Sequence, residues 1–177
     1  LARGVDKAIL LRDDQLETRD AYAIAQVLCE QIKKLNVKVV MVGKQAVDRD
    51  NGHVGTMLAT MLGFACVTEV VKLEIQGDTA RCEHEIEGGA REVVEASLPA
   101  VFTAQKGLNE PRYVKLPGIM AAKKKPLEES AATVGENKIN ILEMSLPAPR
   151  QAGRYVGKGK EGVTELMRRL REEAKVL

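Results

Sequence analysis

The sequence is short of the residues that covalent catalysis uses. It holds two histidines and three cysteines in 177 residues. With no Ser-x-Gly elbow, His53 and His84 have no nucleophile to serve, and a catalytic triad lacks its parts. Cys29, Cys66 and Cys82 are odd in number and form no CxxC. They offer no disulfide framework, suit a reducing compartment, and read as small buried apolar residues. Cys82 and His84 alternate on one side of a strand, but only the distant Cys66 and His53 stand ready to complete four zinc ligands, a weak set. No apolar run approaches the roughly 18 residues of a membrane helix, since residues 37–42 are broken by Lys38 and flanked by Asn36 and Lys44. Neither charge sign dominates either, at 27 Lys and Arg against 25 Asp and Glu. The basic runs at 123–125 and in the tail are answered nearby by Glu128, Glu129, Glu161, Glu165, Glu172 and Glu173, which argues against a nucleic-acid footprint. Glutamate pairs of this kind read as solvated helix faces. The chain opens on Leu1 with neither an initiator Met nor an apolar signal core, so no targeting address is visible and the expectation is that its true start is missing.

What is present is an α/β pattern. Residues 7–11 form a short apolar run suited to a buried strand, and Thr18 or Asp20 can cap a helix over 21–35. Ala21, Ile24, Ala25, Leu28, Ile32 and Leu35 recur at three- and four-residue steps along it. Lys33 and Lys34 sit in its last turn, and Asn36 suits a left-handed exit. A second buried strand follows at 37–42. Strand, helix and strand with short connections predict a parallel sheet with crossover helices. After a polar loop comes a short helix carrying Met57, Leu58, Met61 and Leu62. From 68 to 104 alternation predicts an antiparallel meander that returns to a buried strand at 98–104. A short helix is expected around Ile119 and a late strand over 138–144. Pro147 and Pro149 mark a boundary. Beyond it residues 151–162 read as an extended arm, and Val163, Leu166, Met167, Leu170 and Ala174 form one face of a final helix. An arm ending in a lone amphipathic helix predicts something for it to pack on.

Two stretches carry the functional signal. The first is GKQAVDRDNGHVG, residues 43–55. A polar loop between a strand end and a helix N-terminus in an α/β sheet is where phosphates bind, because backbone N–H groups and the helix dipole favour anions there. Gly52 and Gly55 permit close approach, Asp48 and Asp50 can orient the loop or accept from a ribose hydroxyl, and His53 can meet a phosphate. From spacing alone the same stretch reads equally well as a solvated connection with a helix cap. A calcium loop is excluded, since its fifth, sixth and twelfth positions fall on Gly52, His53 and Ala59. The GKGKEG run at 157–162 matches GxGxxG only literally, because no acidic ribose partner follows it. The second stretch is LNEPRYVKLPGIMAAKKKP, residues 108–126. Its Leu116, Ile119 and Met120 are apolar residues in a Pro- and Gly-bearing segment flanked by Lys123 and Lys124. That is a docking signal unless those side chains simply cover the local core.

Together these stretches resemble electron transfer flavoprotein beta subunits, whose GKQA-[IV]-D-x-D pattern runs through residues 43–50. The family's LNEPRY-x-x-LP-x-IM-x-A-KKK run is matched over 108–125. Residues 87–89 and 98–101 also fall where the family has Glu-Gly-Gly and Leu-Pro-Ala-Val. The likeness spans the chain, with residues 1–11 resembling the middle of a full-length subunit, so that roughly the first third of one is expected to be absent. The resemblance implies a three-layer parallel-sheet sandwich of the adenine nucleotide alpha-hydrolase-like type. Residues 1–147 would form the nucleotide-binding domain, and 148–177 an arm and helix packing on an alpha subunit. It implies an electron carrier, not a catalyst, with FAD held mainly by the alpha subunit and a structural AMP in the beta subunit. The AMP contacts fall on Gly43, Asp48, Asp50, Gly52, His53, Val54 and Gly55. Docking of acyl-CoA or other flavin dehydrogenases falls on Leu116, with Pro117, Ile119, Met120, Lys123 and Lys124 around it, and electrons go on to a membrane quinone oxidoreductase. The implied location is the cytoplasm, or the mitochondrial matrix in a eukaryote. The chain departs from the pattern at residues 52–55, where many AMP-binding members have Asn-Gln-Thr-Gly. Val54 also occurs in electron-bifurcating members that hold a second FAD and use NADH, but Arg49 and Asn51 do not match their Asp-Gly-Asp-Thr, which favours AMP. Ala121 replaces a Lys of some relatives. A stand-alone nucleotide-binding regulatory module of the same fold is the remaining alternative.

Overall fold

The structure, a computed structural model, describes residues 1–150 and 152–177. It divides into two compact units, Leu1–Asn140 and Ile141–Leu177.

In the first unit, β1 (Ala8–Arg12) is followed by a 3₁₀ turn (Leu16–Thr18) and helix α1 (Ala21–Leu35). The sequence sets both ends of α1. The Asp20 carboxylate accepts from the Ala23 backbone N–H at 2.8 Å, and Asn36 exits in the left-handed region at φ 51°. Strand β2 (Val39–Gly43) and helix α2 (Val54–Leu62) follow, and α2 ends on Gly63 at φ 70°. Next come β3 (Ala65–Gln76), β4 (Thr79–Glu85), β5 (Arg91–Ser97) and β6 (Ala100–Ala104). Helix α3 (Leu116–Ala122) and strand β7 (Leu127–Ala131) complete the unit.

The architecture is mixed α/β. A five-stranded sheet has the order β2-β6-β3-β4-β5, and β1 pairs in parallel with β7 in a sheet of two. The meander expected from 68 onward is only half of β3's role. Its first residues run parallel to β6, with Ala65, Cys66 and Val67 opposite Ala100, Val101 and Phe102, and its later ones pair antiparallel with β4. A register shift falls between Val67 and Val70, with Glu69 at φ 54° inside it, and Val70 beyond it pairs with both neighbours, Ala104 of β6 and His84 of β4. Strand β6, four of whose five residues are buried, lies in parallel between β2 and β3.

Two apolar clusters sit on opposite sides of this sheet. Ala25 and Cys29 of α1 and Leu58 and Ala59 of α2 pack with Val40 and Val101. On the other side Val67, Val70, Ala80, Cys82, Ala100 and Phe102 pack together, with Leu108 against them. Small residues on α1 allow α2 to come close. Cys29 and Cys82 are buried as expected, and burial pushes the Cys82 thiol up. Cys66 departs from the expectation: near the amino end of β3 it is exposed.

The strand expected over 138–144 does not form. The backbone N–H groups of Lys138 and Ile139 donate to the Asp20 carboxylate, so no strand neighbour receives them. The late strand is instead β7, which starts at Leu127 and finds β1.

In the second unit, residues 141–150 and 152–158 have no regular structure, and Gln151, the first residue of the expected arm, lies outside the described residues. Helix α4 (Gly159–Glu172) begins earlier than the apolar face suggested. Gly162 lies against the Gly157 backbone, where an added Cβ would come within 2.8 Å of the carbonyl carbon. That close approach, and not phosphate binding, accounts for two of the glycines in the GxGxxG run. Glu165 accepts from Arg168 and Arg169, which hold its carboxyl at about 2.

Among the described residues no helix is long and apolar enough to cross a membrane.

Candidate functional site

Parallel pairing brings the loops that leave β1, β2 and β6 to the carboxyl ends of their strands. This is the end at which α/β sheets bind ligands. The loop over 44–53 leaves β2 there and enters α2 at His53, which makes no side-chain cap. No acidic side chain occupies the first turn of α2. The first N–H groups of the helix are thus left without a capping side chain, and the dipole there favours an anion.

Gly55 places that helix end. An added Cβ would lie 2.7 Å from Thr103 Cγ2 and 2.9 Å from Val42 Cγ2, so only glycine lets α2 rest on β2 and β6 at this point. Asp50 at φ 56° and Gly52 at φ 63° turn the chain into the helix. Within the loop, Gln45 donates to the Asp50 carboxylate, and the Asp50 N–H donates to the Ala46 carbonyl at 2.9 Å. These contacts hold Asp50 and Gly52 close to the helix entry. Asp48 and Val47 are exposed, Val47 almost wholly. Val54 is half-buried, and Gly43 has open space where a side chain would stand.

Residues with no sequence signal complete the setting. Lys44 Nζ pairs with Glu69 at 2.9 Å, and Glu69 is delivered by the irregularity in β3, its N–H donating to Thr103 Oγ1 at 2.9 Å. Arg49 reaches out of the loop and donates to the carbonyls of Arg19 and Glu17. In that neighbouring turn Arg19 pairs with Asp13 at 2.7 Å. The hydrogen bond from Arg19, backed by one from the Gln15 N–H, holds the Asp13 carboxyl below its usual range. A motif reading does not find Glu69, because its partners Lys44 and Thr103 are tens of residues away and a local irregularity in β3 brings it to them.

Two recesses open beside this turn. One of about 100 Å³ is apolar, lined by Leu11, Ile24, Val27, Leu28, Ala132 and Val134 among others. The other, of about 510 Å³, lies at the end of β1 around Arg12, Asp13, Asp14, Gln15, Arg19 and Ala131. Residues 43–55 line neither. The loop between β2 and α2, exposed over residues 45–51, lies next to the turn and is joined to it through Arg49.

The second stretch has a different character. Leu116 and Pro117 open α3, with no residue of that helix buried. Leu116 is 72% exposed, and Ile119 and Met120 are exposed beside it. Among the described residues of this chain they cover no local core. Gly118 lies against the Ala2 backbone, and Lys125 Nζ donates to the Val5 carbonyl, so α3 is held from behind by the first residues of the chain. Lys123 and Lys124 are exposed at the far end of the helix.

A family model described as electron transfer flavoprotein domain matches residues 1–134. The electron transfer flavoprotein subunit beta of Bacillus subtilis is 41% identical over 186 residues, covering all of this chain and 72% of that protein. The chain belongs to the electron transfer flavoprotein beta-subunit family. The subunit beta of Bradyrhizobium diazoefficiens is 37% identical, with 100% of this chain and 70% of that protein covered. That of Mus musculus is 35% identical, with 99% and 69% covered. Membership places the α/β body among adenine nucleotide alpha-hydrolase-like folds and makes the chain a subunit of an electron carrier. The family typically binds AMP, and the residues present are compatible with it: an uncapped helix N-terminus, a glycine that seats it on the sheet, and a positive-φ turn before it.

Proposed function

We propose that this chain works with an electron transfer flavoprotein alpha subunit, which holds the redox FAD, and carries electrons from flavin dehydrogenases such as acyl-CoA dehydrogenases toward a quinone oxidoreductase. In this reading the sheet is part of a three-layer sandwich, residues 1–147 are the nucleotide-binding domain, and 148–177 are the arm and helix that pack on the alpha subunit. The observation that carries the nucleotide part is the N-terminus of α2, uncapped and free of acidic side chains at the carboxyl end of β2. There the backbone N–H groups of Val54 and Gly55 would meet the AMP phosphate, His53 would flank it, and Asp48 and Asp50 would face the ribose. Gly43 and Gly52 would leave room for the nucleotide to approach the backbone.

The docking part is supported by the exposed Leu116, whose burial in a partner's apolar pocket would contribute about 1.5 to 3 kcal/mol. Pro117, Ile119 and Met120 would widen that contact, and Lys123 and Lys124 would steer an acidic partner toward it. In the second unit the exposed Tyr155 and the exposed Val163, Leu166 and Met167 on the apolar side of α4 support the reading of an arm that is covered in the complex.

One observation favours a second reading. Val54 itself brings no hydroxyl to the helix N-terminus, and the Thr56 hydroxyl there donates to the His53 carbonyl at 2.9 Å, which suits a second FAD in place of AMP in an electron-bifurcating, NADH-using complex. The deciding experiment is to purify the full-length subunit with its alpha partner, denature the pair, and quantify the released FAD and AMP. One FAD and one AMP per pair upholds the simple carrier. Two FAD without AMP moves the assignment to bifurcation, and no flavin overturns both.

A further inference from the structure

We infer that Arg49 is a positioning residue. It clamps the turn after β1 onto the loop after β2 and thereby sets the affinity of the nucleotide site, an inference that rests on the nucleotide reading above.

The geometry is that of a fork on two carbonyls. Arg49 Nη1 donates to the Arg19 carbonyl at 2.6 Å, and Nη2 donates to the carbonyl of Glu17. The planar guanidinium presents parallel N–H groups at a fixed spacing, which a flexible ammonium does not. The turn it grips is already braced from within: Asp13 accepts from the Gln15 N–H at 3.1 Å and from the Arg19 side chain at 2.7 Å. Asp13 thus ties Gln15 to Arg19, and Glu17 lies in the turn between them, which is closed further by Thr18 N–H on the Gln15 carbonyl and Arg19 N–H on the Leu16 carbonyl. Asp20, the next residue, caps α1 and also holds residues 138 and 139, so the turn is fixed to the body on its far side. Arg49 supplies the corresponding tie to the exposed 44–53 loop.

The positive charges nearby each have a fixed partner. Lys44 is paired with Glu69, Arg19 with Asp13, and Arg12 with Glu129. The Arg49 guanidinium faces carbonyls and has no carboxylate partner in its hydrogen bonds. A phosphate at the α2 N-terminus is then met by backbone N–H groups, not by a cationic side chain from these loops. Arg49 acts through the shape of the loop, and its contribution to nucleotide binding is insensitive to ionic strength.

The test uses the full-length subunit paired with its alpha partner and stripped of nucleotide, as wild type, Arg49→Lys and Arg49→Ala. AMP affinity is measured by calorimetry between about 50 and about 300 mM salt. Backbone exchange across residues 15–20 is followed by mass spectrometry. Both variants are expected to bind AMP about tenfold more weakly, with the same ratio at every salt concentration. Both should exchange the turn faster, while retaining the wild-type flavin content and thermal midpoint. Full rescue by Arg49→Lys, or a deficit that shrinks as salt rises, would show a charge acting on phosphate and overturn the clamp. Unchanged exchange in Arg49→Ala would overturn it as well. A wild type that binds no AMP overturns the nucleotide reading itself, and faster exchange in the variants would then still uphold the tie between the two segments.

Discussion

The loop over 43–55 and the stretch over 108–126 are both irregular segments following parallel strands of the same sheet, yet they are built in opposite ways. The first is fastened at many points: Lys44 to Glu69, Gln45 to Asp50, Arg49 to two distant carbonyls, and Gly55 against Thr103 and Val42. The second presents Leu116, Ile119 and Met120 outward on a short helix that buries none of its residues. Small charged ligands are recognised by backbone groups held in a fixed arrangement, which requires fastening. Protein partners are recognised by apolar side chains that gain by leaving water, which requires exposure. The contrast teaches which kind of ligand each segment suits before any partner is named.

The largest effect expected from breaking one side of the comparison comes from Gly55→Ala. Its Cβ would stand 2.7 Å from Thr103 Cγ2, so α2 must lift from the sheet. A stability loss of about 3 kcal/mol, read by denaturant unfolding, and loss of bound AMP are expected. Unchanged AMP content would show that the α2 N-terminus is not the phosphate site. Leu116→Ala should do the reverse. It should slow reduction by an acyl-CoA dehydrogenase by an amount equivalent to about 2 kcal/mol, while AMP content and unfolding midpoint stay at wild-type values.

Asp20 probes the scaffold behind the first loop. Burial alone would raise its carboxyl, but backbone N–H donors from Ala23, Lys138, Ile139 and Tyr22 outweigh that and hold it below its ordinary value of 3.8. A carboxylate depressed in the folded state stabilises above its unfolded pKa, and that contribution fades as pH falls from about 4 through the folded value. Asp20→Ala should therefore cost about 1 to 2 kcal/mol near neutral pH and flatten the acid limb of the stability curve. An equal cost at pH 7 and below pH 3 would refute the assignment. The smallest effect is expected of the double change Lys123→Ala and Lys124→Ala: about threefold slower partner reduction at low salt, vanishing at high salt. A salt-independent defect would move those lysines from steering to direct contact.

Much of the first unit was legible because its signals are local. The pattern offered Thr18 or Asp20 as the cap of α1 and Asn36 as its exit, and the structure uses Asp20 and Asn36; of the expected apolar face Ala21 and Ala25 are buried, while Leu35 is exposed and Ala23 and Cys29 are buried beside it. The position of α2 directly after the polar loop was legible for the same reason. The strand expected over 138–144 shows the limit. Its apolar residues suit a strand, but the N–H groups of Lys138 and Ile139 at its start are taken by the Asp20 carboxylate, 118 and 119 residues away. Cys66 shows it again, since nothing in the neighbouring sequence says that the start of β3 is open to solvent.

By itself, then, the sequence determined α1 and α2, the exit of α1 at Asn36, the two functional stretches and the family they resemble, because each rests on residue types at short spacing. Only the tertiary structure decided that β3 serves two neighbours and that Glu69 reaches Lys44 through an irregularity in that strand. It alone placed Arg49 across two loops and left Leu116 outside the core. The physical reason is common to all of these. Hydrogen-bond partners and burial are set by which strands come together, and strand pairing joins residues whose separation along the chain no local pattern encodes.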